Sequence, residues 1–103
     1  MKIFPDIIVS YAISFCNKIK DIKEEVKTET EQITINNLII DFFYNSNIVC
    51  LTISNKDSVQ LLSISFELNS SEESIKEALN STINNREDIL INQIYDLNTL
   101  KNT

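Results

Sequence analysis

The chain has 103 residues, a length suited to one hydrophobic core, and 43% of them are hydrophobic, which excludes disorder over most of it. Fifteen acidic residues against nine basic ones leave a net charge of −6, so direct binding to DNA or RNA, which needs cations to neutralise phosphates, is not expected. His and Gly are both absent, which removes Ser-His-Asp and Cys-His catalysis and any Gly-rich phosphate loop.

The first segment, "MKIFPDIIVSYAISFC", has the lysine and apolar run of a targeting signal but not its other features. Asp6 interrupts the run, Phe15 stands where a lipoprotein cleavage site wants a small residue, and the run is too short to span a bilayer. It reads instead as an amphipathic helix over about residues 5 to 27. Pro5 suits the first turn, and Ile8, Tyr11, Ala12, Phe15, Ile19, Ile22 and Val26 recur at spacings of three and four. Ile7 and Val9 widen the apolar surface near its start, as if that end were buried on more than one side. The lysines of "NKIKDIKEEVK" alternate with acids and read as a solvated face. The helix is expected to fade in "KTETE".

From there the hydrophobic period changes to two. "EQITI" alternates through Ile33 and Ile35; "LIIDFFY" carries Leu38, Ile40, Phe42 and Tyr44 on one side and Ile39 and Phe43 on the other. Asn36-Asn37 between them is either a tight hairpin turn or a bulge. "NIVCLTIS" follows Asn45-Ser46-Asn47, and "SVQLLSISFEL" follows "NKD". In the last strand Leu62, Ile64, Phe66 and Leu68 are expected to face the core, with Leu61, Ser63, Ser65 and Glu67 pointing away. Without Gly, positive-φ turns must fall to Asn or Asp, in "INNL", "YNSN", "ISNKD" and "INNR".

Helical spacing returns with Ile75, Leu79, Ile83, Leu90, Ile94 and Leu97, interrupted at Asn84-Asn85. "NSSEES", residues 69 to 74, precedes it. Ser70 or Ser71 can cap the helix, and Ser70 with Glu73 fits the capping box S-x-x-E. Asn85-Arg86-Glu87-Asp88 looks like a second start, which makes two helices the preferred reading and one kinked helix the alternative. Helix, strands and helices in that order predict one α+β domain over residues 1 to 103. It has an N-terminal helix, a three- or four-stranded antiparallel meander, and two C-terminal helices packed on one sheet face.

Chemistry has little to work with. Cys16 and Cys50 lack the spacing of a CxxC or zinc motif and are expected to be reduced core thiols in a cytoplasmic protein. The carboxylate pairs at 24–25, 72–73 and 87–88 are sequence neighbours, which point about 100 degrees apart on a helix and form no ready chelate. No enzyme activity, cofactor or metal is expected.

Acidity is the stronger signal. Residues 66 to 103 hold seven acids and three bases, and residues 21 to 41 hold six and two. Carboxylates along a helix face can imitate a phosphate backbone; the plainer role is solubility. The candidate contacts for a basic protein surface are Glu72, Glu73, Glu77, Glu87 and Asp88. Phe43 joins them on a second count. With helices on both sheet faces it belongs to the core, the expected outcome; with helices on one face only, it forms an exposed apolar patch with Ile39.

The helix "PDIIVSYAISFCNKIKDIKEEV", the strands "LIIDFFY", "NIVCLTIS" and "SVQLLSISFEL", and the acidic helices "SEESIKEAL" and "REDILINQIYDL" together set a layout. In segment order and charge it resembles small phage-encoded inhibitors of bacterial defence, notably certain anti-CRISPR proteins. The resemblance implies an acidic, non-catalytic inhibitor that presents carboxylates to the DNA-binding surface of a nuclease. Immunity proteins and antitoxins, which neutralise basic toxins, share this size and acidity. A homo-oligomeric assembly protein, a homodimer for instance, is the competing reading, with the Phe43 patch as contact and the charge only solubilising.

Overall fold

A computed structural model describes residues 4–22, 27–85 and 92–95. Helix α1 spans Asp6–Ile22 and buries Ile8, Val9, Ala12, Phe15, Cys16 and Ile19, a stripe at helical spacing. Its first turn is closed by the Pro5 carbonyl, which accepts from the backbone N–H of Ile8 at 3.1 Å and of Val9 at 3.3 Å. Asp6 in the first turn and Lys20 in the last both suit the helix dipole. Two expectations fail at its flank: Tyr11 and Ile7 are each 43% exposed. Each lies roughly 60 to 100 degrees off the stripe that starts at Ile8, so the helix buries one side only. Val26 lies outside the described residues.

The helix does not reach residue 27. Strand β1, Thr28–Ile35, takes up "TETE" as well as "QITI", because all eight of its residues pair with the next strand, from Thr28 opposite Asn45 to Ile35 opposite Leu38. β2 (Leu38–Asn45), β3 (Ile48–Asn55) and β4 (Gln60–Glu67) complete an antiparallel sheet in the order β1-β2-β3-β4. The meander has four strands, and Asn36-Asn37 is a two-residue hairpin turn, not a bulge.

Among the described residues the positive-φ positions are Asn36, Ser46, Asn47 and Ser58, so serine fills two places where Asn or Asp was expected. Ser46 and Asn47 form the two-residue loop between β2 and β3. The turn that matches strand twist there needs positive φ at both positions, and they have φ 49° and 72°.

The pleat assigns sides. Leu38, Ile40, Phe42 and Tyr44 of β2, Val49, Leu51 and Ile53 of β3, and Leu62 and Phe66 of β4 are buried together. Against them lie the α1 stripe and Ile75, Leu79 and Ile83 of helix α2 (Glu72–Asn84), with Ile94 of helix α3 (Asn92–Tyr95). Phe15 stacks on Phe42 with ring centroids 5.4 Å apart, fixing α1 over the sheet. Burying each such side chain contributes about 1.5–3 kcal/mol, so this face supplies most of the driving force for folding.

Leu61 is a correction. It was expected to point away from the core and is 1% exposed. The register slips there: Ile53 pairs with Leu62 and Ser54 with Gln60, leaving Leu61 as an extra residue that turns inward beside Leu62.

Candidate functional site

Three surfaces carry the residues singled out by the sequence. The first is the start of α2. Leu68 follows the last strand, and the Ser70 N–H bonds the Glu67 carbonyl at 3.0 Å, a turn that delivers Ser71 as N-cap. The Ser71 hydroxyl accepts from the Ser74 backbone N–H at 3.1 Å. The Ser70–Glu73 capping box is therefore not formed. Because the cap sits one residue later, Glu72 and Glu73 occupy the first turn as dipole-favoured carboxylates instead of reaching back to the cap. Ile75, Leu79 and Ile83 bury the opposite side of the helix, which leaves Glu72, Glu73 and Glu77 exposed.

The second surface is a cleft that sequence reasoning missed. α1 packs against α2 so that their N-terminal turns converge, and Asp6, Val9, Ser10, Ile13, Glu72, Glu73 and Lys76 line a hollow of about 320 Å³. Asp6 thus joins Glu72 and Glu73, with Lys76 the cation of the group. The signal was an acid in the first turn of each of two helices; that the turns meet is a tertiary fact which spacing cannot supply. Glu77, one turn on, is not part of the cleft wall. Glu87 and Asp88 lie outside the described residues.

The third surface is the sheet face opposite the helices. Phe43 stands there, 40% exposed, and not in the core. Consecutive strand residues take opposite faces, and Phe42 holds the core side. Phe43 pairs with Cys50 across β2 and β3, and Ile48, 39% exposed, is its diagonal neighbour. Ile39 lies on the same face, separated from Phe43 by Asp41, whose carboxylate accepts a 2.7 Å hydrogen bond from Gln32 Nε2.

The cysteines divide. Cys16 is buried in the core as expected, and burial pushes its thiol pKa up while Lys20 pulls it back in part. Cys50 is not a core thiol: it sits on the open face, with its Sγ 3.1 Å from the Ser65 Oγ. Among the described residues, no group of three His, Cys, Asp or Glu side chains is placed to hold a metal ion, and no helix is long and apolar enough to cross a membrane. Compared with known proteins, the chain matches no family model, no curated protein and no solved structure.

Proposed function

We propose that this protein is a non-catalytic binding protein, a stoichiometric inhibitor that covers a basic surface of a protein partner, of the kind a nuclease uses for nucleic acid or a toxin presents. The observation that carries the reading is the gathering of Asp6, Glu72 and Glu73 around one cleft, with Glu77 exposed on the next turn of α2. A lysine or arginine side chain entering between the two helix starts meets three carboxylates held on rigid elements. α2 loses little entropy on docking, because its cap and its apolar side already fix it.

Lys76 beside the carboxylates favours a partner that approaches from the Glu72–Glu73 side and leaves that cation at the rim. Charge of this type speeds encounter and sets partner choice more than it raises affinity, and it is screened by salt.

The test is capture of a partner on immobilised protein at low salt, followed by binding measurements with the triple variant E72K/E73K/E77K and with D6K. At about 0.2–1 kcal/mol for each exposed pair, losing three such pairs weakens binding by about threefold to roughly a hundredfold. Elution by salt belongs to the same expectation. A partner that binds the triple variant undiminished, or that stays bound at high salt, overturns the reading.

A further inference from the structure

We propose that the free edge of β4 is a self-association site, where β4 of a second copy adds antiparallel about a two-fold axis at Ile64 and continues the sheet. This goes beyond the inhibitor reading and does not depend on it. A chain found to stay monomeric leaves the partner test as it stands.

The ladder decides which backbone groups of β4 are free. Asn45 and Ile48 flank a two-residue loop and so form a hydrogen-bonded pair. Bonded and non-bonded pairs alternate along an antiparallel ladder. Val49, Leu51 and Ile53 therefore turn their N–H and C=O groups to β4, onto Phe66, Ile64 and Leu62. The Leu68 N–H, which bonds the Asn47 carbonyl at 2.9 Å, keeps the same phase. Ser63 and Ser65 direct their backbone groups the other way, outward from the last strand of the sheet. Glu67 ends this free stretch, because its carbonyl accepts from the Ser70 N–H. Among the described residues, no other strand pairs with that edge.

The edge is complementary to itself. Ile64 has a serine on each side, and beyond them stand Leu62 and Phe66. A second β4 laid antiparallel about Ile64 sets Ser63 opposite the partner's Ser65 and Ser65 opposite the partner's Ser63. Both pairs are hydrogen-bonded ones, so the outward groups of all four serines find partners. Leu62 then faces the partner's Phe66. Ile64, only half-buried in one chain, meets the partner's Ile64 on the helix side in a close non-hydrogen-bonded pair. A slip of one residue sets Ser against Ile and opposes the two faces, so this register is specified. The bulge at Leu61 lies outside the stretch from Leu62 to Phe66.

Charge permits this contact and closes the assembly. Glu67, the one charged residue of β4, falls opposite the partner's Leu61, about 20 Å from the partner's Glu67 and beyond a Debye length. α2 runs above β4, with Ile75, Leu79 and Ile83 turned to the sheet and Glu72, Glu73 and Lys76 turned to α1. Its remaining flank, on the free side of β4, is Ser74, Ala78 and Ser81, uncharged and small. Glu77 points away from the sheet, and the acidic cleft stays open. The other edge strand, β1, carries Glu29 and Glu31, which oppose pairing and stop growth at a two-fold dimer.

Edge pairing covers less surface than a standard interface, so the Kd is expected between about 1 μM and 1 mM. Sedimentation equilibrium of the full chain over that range is the test. S65P removes an outward N–H without breaking the ladder to β3, and a dimer contains two such donors. It is expected to raise the Kd about fivefold to a hundredfold, with native circular dichroism retained. S63K and S63E each place like charges on a diagonal across the axis and weaken their own dimers; mixed in equal amounts, they should associate more tightly than either alone. F43E, on the open face, and T30K, on the β1 edge, are expected to leave the Kd unchanged. A monomer throughout overturns the proposal. So does a dimer indifferent to S65P and S63K, a mixture no tighter than its components, or a dimer broken by F43E.

Discussion

Phe4 donates its backbone N–H to the Asn80 Oδ1 at 2.7 Å, across 76 residues of sequence. This bond fastens the chain ahead of α1 to the middle of α2 and so helps hold together the two helix starts that form the acidic cleft. Phe4 itself is 1% exposed, which anchors the same junction from the apolar side. Asn80→Ala leaves a part-buried N–H without its acceptor and is expected to cost about 1–2 kcal/mol. Asn80→Asp, which keeps an acceptor oxygen, should cost less. Urea denaturation checks this: the midpoint falls in Asn80→Ala with the slope unchanged. If Asn80→Ala unfolds at the wild-type midpoint, the clip contributes nothing to stability.

The cap of α2 is a second test of local assignment. Ser71 accepts from Ser74, while the Ser70 N–H serves the turn to Glu67. Ser71→Ala should therefore cost about 1 kcal/mol and Ser70→Ala only a few tenths. Thermal melts of the two variants separate them, since about 1 kcal/mol moves the midpoint by roughly 4–8 °C in a domain of this size. Equal losses, or a larger loss at Ser70, would move the cap back to the capping box that the sequence spacing favours.

Those two bonds also mark what the sequence does and does not reveal. The α1 stripe from Ile8 to Ile19, the alternation of Leu38, Ile40, Phe42 and Tyr44, and the break after Asn84 were legible because local period and pairing point the same way there. Tyr11 was misjudged because spacings of three and four admit a wider arc than α1 buries. Leu61 was misjudged because strict alternation cannot see the slip between Ile53 and Ser54. Of the candidate site, the exposed acids of α2 were legible from composition. Their meeting with Asp6, and the placing of Ile48 and Cys50 beside Phe43, depend on helix packing and strand register, which no short window of sequence encodes.

Cys16 makes stability depend on pH in the alkaline range. Burial holds its thiol above the ordinary value of 9.0, with Lys20 opposing in part. The folded thiol then stays protonated where the unfolded one has ionised. This contribution is complete below 9.0 and is lost as pH rises beyond it, with a slope of at most about 1.4 kcal/mol per pH unit. The measurement is a difference, which isolates the thiol from the rest of the chain. The stability gap between wild type and Cys16→Ala, read from urea curves, should narrow from neutral pH to a unit above 9.0. A gap that stays constant would mean that folding does not perturb the thiol.

The turn between β3 and β4 rests on one side chain. Asn55 is 8% exposed, and its Oδ1 accepts from the backbone N–H of Asp57 at 2.9 Å and of Val59 at 3.0 Å. Its own backbone closes the loop, donating to the Val59 carbonyl and accepting from the Ser58 N–H, both at 3.0 Å. Asn55→Ala removes the acceptor of two N–H groups and is expected to cost about 1–3 kcal/mol; Asn55→Asp keeps the acceptor and should cost less. Ser58, at φ 65°, works in the opposite sense. Ser58→Gly relieves a left-handed backbone and is expected to gain roughly 0.5–1 kcal/mol net of the added freedom of the unfolded chain. Hydrogen exchange locates the effect. In Asn55→Ala the amides of β4 should lose protection before those of β1 and β2, because the turn sets the register that folds Leu61 and Leu62 into the core. Uniform loss across the sheet would show instead that the hairpin register is held by the core alone.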